Sequence, residues 1–450
     1  MFWDIPANDD AILLIDSEKD RIFSFEAVQE KVGEAVHLLS SYSAKKSLGF
    51  LYCDNSPESI IAYLAALQKR DAVLLLNAGL NDELKKELTQ TFQPNWVFSE
   101  GSFCKRNAAE QLEIHPDLAV LLSTSGTTGG SKLVRLSYEN LQANAESIAQ
   151  YLQIDQGERP ITTLPMAYSY GLSVINSHLS KRASIVLTNQ GVISKGFWDS
   201  FHKYLVTSFA GVPYTYKMLH RLRFDRMTLP SLRYFTQAGG RLPVDLVEYF
   251  LDTAEKNGQR FVVMYGQTEA TARISYIPYE SLANKKGTIG VPIPGGHLAL
   301  DKENSELIYR GPNVMLGYAH SREDLKKGDE LHGILRTGDL AEVDHDGFYT
   351  IIGRLKRFIK LFGLRVNLDD VEKMLEKSFS LPVACTGYDD RMVILIESED
   401  DHCLSRKVIE KVQEMYKIHH SGLKVHFLPQ FPVLPNGKID YARLNVEVDA

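Results

Sequence analysis

Leu121-Leu122-Ser123-Thr124-Ser125-Gly126-Thr127-Thr128-Gly129-Gly130-Ser131-Lys132 is the stretch on which the reading of this chain turns. An apolar strand runs into a loop of hydroxyls and glycines that ends in a lysine, and a helix is expected from about Ser137. Glycines let backbone N–H groups turn toward an anion, hydroxyls donate further bonds, and the lysine adds charge. Phosphate is the natural ligand of such a loop. It is not a Walker A loop, which ends in Gly-Lys-Ser/Thr where this chain has Ser131-Lys132-Leu133. A plain solvent loop is the alternative, set against its position directly after a buried strand.

Working outward, short apolar runs alternate with amphipathic helical patterns through the first 270 residues. Ser24 reads as an N-cap, followed by Phe25, Val28, Val32, Val36 and Leu39 at helical spacing. Residues 48–52 read as a strand, and Ser56-Pro57-Glu58 opens a helix with proline at its first position. Further strands are expected at 72–76, 95–98, 118–122, 184–187, 207–212, 233–236 and 261–264. Continuous apolar strands separated by helices predict an α/β fold: doubly wound, largely parallel sheets covered on both faces. Beyond about residue 285 the texture changes to glycine, proline and short β-like pieces, a small β subdomain. A small α+β unit follows, with helices near 369–379 and 404–418 and strands near 393–396 and 424–428. The expected division is 1–355 and a small mobile domain 356–450, hinged at Lys356.

The chain has 450 residues, 50 basic and 57 acidic, and a net charge of −7. That composition excludes disorder, collagen and a disulfide scaffold. It also argues against nucleic acid as a partner, because a global basic footprint is lacking. Cysteines at 53, 104, 385 and 403 form no CxxC pair and no zinc spacing. The N-terminus lacks the pattern of a signal peptide, and no apolar run reaches the ~18–20 residues of a membrane span. A cytoplasmic location is the expectation.

Four more segments have chemical potential. Met264-Tyr265-Gly266-Gln267-Thr268-Glu269 ends an apolar strand with an aromatic, a hydroxyl and a carboxylate. Leu335-Arg336-Thr337-Gly338-Asp339 places a carboxylate in a glycine turn, where it could accept from two ribose hydroxyls. Gly353-Arg354-Leu355-Lys356-Arg357-Phe358-Ile359-Lys360 is basic and alternating, and Leu434-Pro435-Asn436-Gly437-Lys438-Ile439-Asp440 lifts one lysine on a tight turn. Each has a bland alternative: a capped strand end, an Asp-stabilised turn, a solvated edge strand, a surface turn.

Taken in order, these segments make the chain resemble the AMP-forming adenylating enzymes: acyl-CoA synthetases, adenylation domains of peptide synthetases, and firefly-type luciferases. The resemblance runs from about Phe23 to Leu444 and includes Asn55-Ser56-Pro57-Glu58, Gly287-Thr288-Ile289-Gly290-Val291-Pro292 and Arg310-Gly311-Pro312-Asn313-Val314-Met315-Leu316-Gly317-Tyr318. It implies that Thr124, Ser125, Gly126, Thr127, Thr128, Gly129 and Lys132 cradle the β- and γ-phosphates of ATP. Gly239, Gly240 and Arg241 would lie along the adenine, with Tyr265 and Gly266 near the base and the acyl pocket. Thr268 would contact phosphate and Glu269 would hold Mg²⁺. Asp339 would accept from the ribose, Ile351 would pack nearby, and Arg354 would complete the nucleotide site. Lys356 would be the hinge, and Lys438 would reach the reacting carboxylate and the α-phosphate.

The implied activity is an acid–thiol ligase that forms an acyl-adenylate and passes it to CoA or to the phosphopantetheine of a carrier protein. An enzyme that serves a non-thiol acceptor and a non-catalytic nucleotide-binding relative are the alternatives. Members that activate α-amino acids place an Asp in the segment that here reads Pro165-Met166-Ala167-Tyr168-Ser169-Tyr170-Gly171-Leu172. No acid stands there, so an aryl or acyl acid is expected, because a buried ammonium without a partner is costly. Tyr168, Tyr170, Val212, Pro213, Tyr265 and Gly290 are the expected pocket lining. Tyr168 stands where many relatives carry His, Ser131 where they carry Pro, and Ala238 where they carry Gly. Asn436-Gly437-Lys438 looks like the peptide-synthetase form, a pointer to a carrier-protein acceptor.

Overall fold

The structure is a computed structural model that describes all residues except 7–8, 81, 107–112, 124–131, 356, 362–363, 389, 400, 417, 435–438, 442 and 445–450. It divides into two compact units, residues 1–298 with 309–335, and residues 299–308 with 336–450. Compactness thus sets a boundary at 335/336, whereas the expected boundary at 355/356 concerns a hinge. The hinge position, Lys356, lies outside the described residues.

The first unit contains a seven-stranded and a nine-stranded sheet. In the seven-stranded sheet, Ala72–Asn77, Leu48–Cys53 and Trp96–Ser99 run parallel, as do Ala72–Asn77 and Leu118–Ser123. The nine-stranded sheet has a parallel centre, from Arg260–Tyr265 through Tyr234–Gln237, Ser208–Gly211, Pro160–Ile161 and Ile185–Leu187 to Ile12–Asp16. Both are the expected α/β sheets, edged by antiparallel strands. The helix Pro57–Gln68 starts as its sequence dictates, with Ser56 capping the Ser59 N–H and Pro57 in the first turn. Its residues 59–67 are all buried, as suits a helix apolar on every side, and it packs on strands of both sheets. It is therefore the layer the two sheets share. The helix Phe25–Tyr42 shows one buried stripe, capped by the Ser24 hydroxyl on the Ala27 N–H.

Of the strands that were not expected, Ile12–Asp16, Arg21–Ser24, Ser102–Lys105 and Val383–Tyr388 among them, one bears directly on the site. Leu133–Ser137 pairs antiparallel with Leu118–Ser123, and only then does the helix Tyr138–Leu152 begin, boxed by Ser137 and Asn140. Arg135 interrupts the apolar pattern of this strand and hides it. The hydroxyl–glycine segment therefore joins two antiparallel strands, with Ser123 opposite Leu133, and does not run into a helix N-terminus.

The second unit includes most of a four-stranded sheet with the order His297–Leu300, Glu306–Arg310, Ile334–Val343, Tyr349–Arg354. A hairpin follows, Phe358–Leu361 with Leu364–Asn367. Last comes a three-stranded sheet of Val383–Tyr388, Arg391–Glu397 and Leu423–Leu428, with the helices Leu368–Phe379 and His402–Tyr416. This unit has its own core, around Val371, Leu375, Ile394 and Val408. Among the described residues, no helix is long and apolar enough to cross a membrane.

Candidate functional site

Thr124, Ser125, Gly126, Thr127, Thr128 and Gly129 lie outside the described residues, but the strands on either side of them are fixed by their pairing. Lys132 is half-buried, and its Nζ stands 3.5 Å from the centroid of the Tyr318 ring. Tyr318 belongs to the strand Gly317–Ala319, which pairs antiparallel with Leu133–Ser137 and sets Tyr318 opposite Val134. The Tyr318 hydroxyl donates to Glu269 Oε1 at 2.9 Å. Burial, and then the neighbouring carboxylate, push this phenol above its ordinary pKa, so it remains a donor. Cation, ring and carboxylate thus stand in one row, assembled from three distant pieces of sequence. Tyr318 was missed by sequence reading as a site residue, because its role depends on strand pairing.

The segment that carries Glu269 is held unusually. An added Cβ on Gly266 would lie 1.8 Å from the Ala272 carbonyl oxygen, so only glycine lets the chain fold back there. Thr271 has φ +63°, a costly conformation for a β-branched residue. Three hydrogen bonds hold it: the Thr271 hydroxyl donates to the Asn313 carbonyl, and the Asn313 amide donates to the carbonyls of Ala270 and Arg273, all at 2.7–2.8 Å. The Met315 N–H donates to the Glu269 carbonyl at 2.9 Å. The Thr268 hydroxyl is 3.2 Å from that of Ser169, at the start of the helix Ser169–Leu179. Tyr265 ends its strand with its hydroxyl accepting from Gln267 Nε2 at 3.1 Å.

Tyr168 stands at the N-cap position of that helix without a side-chain capping bond, and comes close to two other expected residues. A Cβ added to Gly239 would lie 2.8 Å from the Tyr168 hydroxyl and 3.0 Å from a Val212 methyl. Gly239 has φ +84°, so glycine is required there on two counts. A Cβ on Gly240 would lie 3.1 Å from Pro213, and Arg241 is exposed. Burial pushes the Tyr168 phenol up to about 12. Tyr170 is placed differently from Tyr168. It is 2% exposed, and its hydroxyl is 2.8 Å from the Thr236 hydroxyl and donates to the Thr236 carbonyl. Gly290 has φ +81°, and its missing Cβ would meet the Tyr276 carbonyl at 1.9 Å, so its need for glycine is one of backbone packing.

In the second unit, Asp339 is 3% exposed and accepts from Arg354 Nε at 2.9 Å. The two face each other in the antiparallel register, with Ile351 opposite Ala341. Lys438 lies outside the described residues, but an isolated bridge pairs Val433 with Ile439 on either side of it. Nearby, Tyr441 donates to Glu372 at 3.0 Å and accepts from Arg357 at 3.2 Å. Arg357 also binds Asp369, Glu372 and the Cys385 carbonyl. The residue after the expected hinge is therefore tied to the segment after the expected lysine.

Among the described residues, no group of three or more His, Cys, Asp and Glu side chains could hold a metal ion by itself. A lone carboxylate such as Glu269 suits Mg²⁺, which is commonly held by one or two carboxylates together with substrate phosphates.

Known proteins resemble this chain over much of its length. Residues 84–319, just over half of the chain, match the family described as AMP-binding enzyme. The chain is 28% identical over 390 residues to a probable CoA ligase, CCL5, of Humulus lupulus, covering 80% of this chain and 69% of that protein. It is 30% identical over 289 residues to the oxalate–CoA ligase of Arabidopsis thaliana, covering 60% of this chain but only 54% of that one. Among solved structures, o-succinylbenzoate CoA synthetase (MenE) of Bacillus subtilis, in complex with an acyl-adenylate intermediate, superposes with a TM-score of 0.78 at 22% identity, over 97% of this chain and 95% of that chain. The motif order, the paired α/β sheets and the match across more than half of its length together make this chain a member of the AMP-binding enzyme family.

Proposed function

We propose that the protein activates a carboxylic acid in two steps. It is an ATP-dependent, AMP-forming ligase. First, a carboxylate oxygen of the acid attacks the α-phosphorus of ATP; the bond to the bridging oxygen breaks, and pyrophosphate leaves. Second, a thiol attacks the acyl carbon of the adenylate, loses its proton, and displaces AMP. The observation that carries this reading is the row of Lys132, Tyr318 and Glu269 beside the hydroxyl–glycine segment. Two anions must approach each other, so fixed positive charge has to stand where negative charge grows.

Within this reading, Lys132 and residues 124–129 take the β- and γ-phosphates, and Thr268 takes phosphate. Glu269 holds Mg²⁺, whose chemistry is to neutralise polyphosphate charge. Gly239, Gly240, Arg241, Tyr265 and Gly266 frame the adenine. Asp339 accepts from the ribose, with Ile351 and Arg354 beside it. Lys438 serves the reacting carboxylate, and Lys356 is the hinge. Tyr168, Val212 and Pro213 border an aryl or acyl substrate. CoA is the favoured thiol, supported by relatives named as CoA ligases. The Asn436-Gly437-Lys438 form favours a carrier-protein phosphopantetheine as the second reading.

ATP–pyrophosphate exchange over a panel of carboxylic acids tests the first step. Lys438→Ala should lower exchange by ~10²–10³ while ATP binding persists. An undiminished exchange rate in that variant would remove the assignment. CoA and a phosphopantetheinylated carrier, supplied separately to the best acid, then divide the two acceptors.

A further inference from the structure

Several lysines of the first unit sit in ion pairs, and Lys46 does not. Lys203 pairs with Asp20, Lys286 with Glu248 and Lys327 with Asp324, all at 2.6–2.8 Å. Lys46 is half-buried, and its Nζ donates to two neutral oxygens, the Pro116 carbonyl at 3.0 Å and the Tyr138 hydroxyl at 3.4 Å. Among the described residues, it forms no ion pair. Its Nζ also stands 4.9 Å from the centroid of the Tyr138 ring, which the Arg70 guanidinium approaches to 4.0 Å. Lys69 is close as well, its Nζ donating to the Lys45 carbonyl at 3.3 Å. The nearby carboxylate, Asp71, is 0% exposed and is already taken by Lys69, the Ser47 N–H and the Trp96 indole N–H at 2.7–2.9 Å. Three cations thus crowd one tyrosine and one carboxylate that is already occupied.

An ammonium has three N–H donors and no lone pair, whereas a neutral amine has two donors and a lone pair. The two neutral acceptors of Lys46 match the second form. A half-buried lysine beside other cations loses its proton easily and becomes a nucleophile. Burial pulls the pKa of Lys46 down to about 7; Asp71 and Asp117 oppose this, and Arg70 and Lys69 add to it. The bond to Pro116 lies at the surface of the protein, so the nitrogen is not sealed inside. Its two partners also stand at the start of two elements. Pro116 leads into the strand Leu118–Ser123, and Tyr138 opens the helix Tyr138–Leu152.

We propose that Lys46 is a modification site, acylated by CoA thioesters, the class of product that the second step above forms. This rests on the adenylation reading only for the source of the acyl group. The Nζ lone pair attacks the thioester carbonyl carbon and the C–S bond breaks. CoA leaves as its thiol with the proton that the nitrogen gives up, and an amide remains. An amide nitrogen keeps one N–H, so either Pro116 or Tyr138 loses its donor. The mark falls where the strand that leads into the hydroxyl–glycine segment and the helix that follows Leu133–Ser137 both begin.

The test is exposure of the full chain to acetyl-CoA between pH 6 and 9, without ATP or acid, followed by peptide mass spectrometry of its lysines. At pH 7 about half of Lys46 is free amine, against roughly 0.04% of an ordinary lysine. A weaker base is also a weaker nucleophile, which offsets part of that difference. Lys46 should therefore be acetylated ~10–100-fold faster at pH 7 than exposed lysines such as Lys181 and Lys256. Its rate should level off above about pH 8 while theirs continues to rise. Acetylation of Lys46 no faster than of those lysines, or a rate that climbs with theirs to pH 9, overturns the inference. Because the thioester is supplied ready-made, that outcome leaves adenylation standing. Pyrophosphate exchange with none of a panel of acids overturns adenylation, and the acetyl-CoA result still decides the reactivity of Lys46.

Discussion

Glu269 shows how one side chain is given a direction. Its Oε1 is held by the Tyr318 hydroxyl, and its backbone carbonyl by the Met315 N–H. Tyr318→Phe keeps the ring beneath Lys132 and removes only the donor. Loss of one such hydrogen bond is worth ~1 kcal/mol, so adenylation should fall roughly 5- to 10-fold, with a higher Mg²⁺ requirement. Glu269→Gln should cost ~10²–10³. An Mg²⁺ titration of pyrophosphate exchange separates the two, and a Tyr318→Phe titration that overlays the wild type would count against the positioning role. Lys132 and Glu269 were singled out because motifs mark them. Tyr318 was not, because it lies 49 residues beyond Glu269 in sequence and reaches it through pairing with Leu133–Ser137.

At the scale of elements, the helix Ser169–Leu179 contains a built-in pH response. His178 is 3% exposed; its Nδ1 donates to the Val174 carbonyl at 2.7 Å, and its Nε2 accepts from the Tyr234 hydroxyl at 3.1 Å. Burial pulls its pKa down to about 4. The unfolded chain titrates near the ordinary histidine value of about 6.5, so between 6.5 and 4 the unfolded state binds the extra proton. Stability is full above about 6.5 and declines as pH falls toward 4, by on the order of 3 kcal/mol. Urea midpoints across that range should show the decline, and His178→Gln should flatten it. A slope unchanged in the variant would assign the decline to other groups. The helices and parallel strands themselves were readable, since caps such as Ser24 and Ser56 and runs such as Leu48–Cys53 obey local rules. The strand Leu133–Ser137 escaped because its central arginine is buried by partners distant in sequence.

For the whole molecule, the two compact units have separate cores, one around Leu64, Val73 and Leu122, the other around Val371, Ile394 and Val408. Units with their own cores unfold as more than one cooperative block. Calorimetry should therefore give a van't Hoff enthalpy below the calorimetric one, and a single transition with equal enthalpies would deny that independence. Sequence reading found the change of texture after residue 285 but could not assign residues 299–308 to the second unit. That grouping comes from a strand, Glu306–Arg310, whose partner Ile334–Val343 follows much later.

The pairing of Arg135 with Gly317 also sets a clock. The two residues are 182 positions apart, and synthesis proceeds at about 5–20 residues per second, so roughly 9–36 s pass between making one strand and making its neighbour. Throughout that interval the nascent chain displays an open apolar strand edge, the kind that invites pairing with another chain. Arg135 sits in the middle of it. The charge that is wholly buried once Gly317–Ala319 has docked is, until then, a guard on the unfinished sheet.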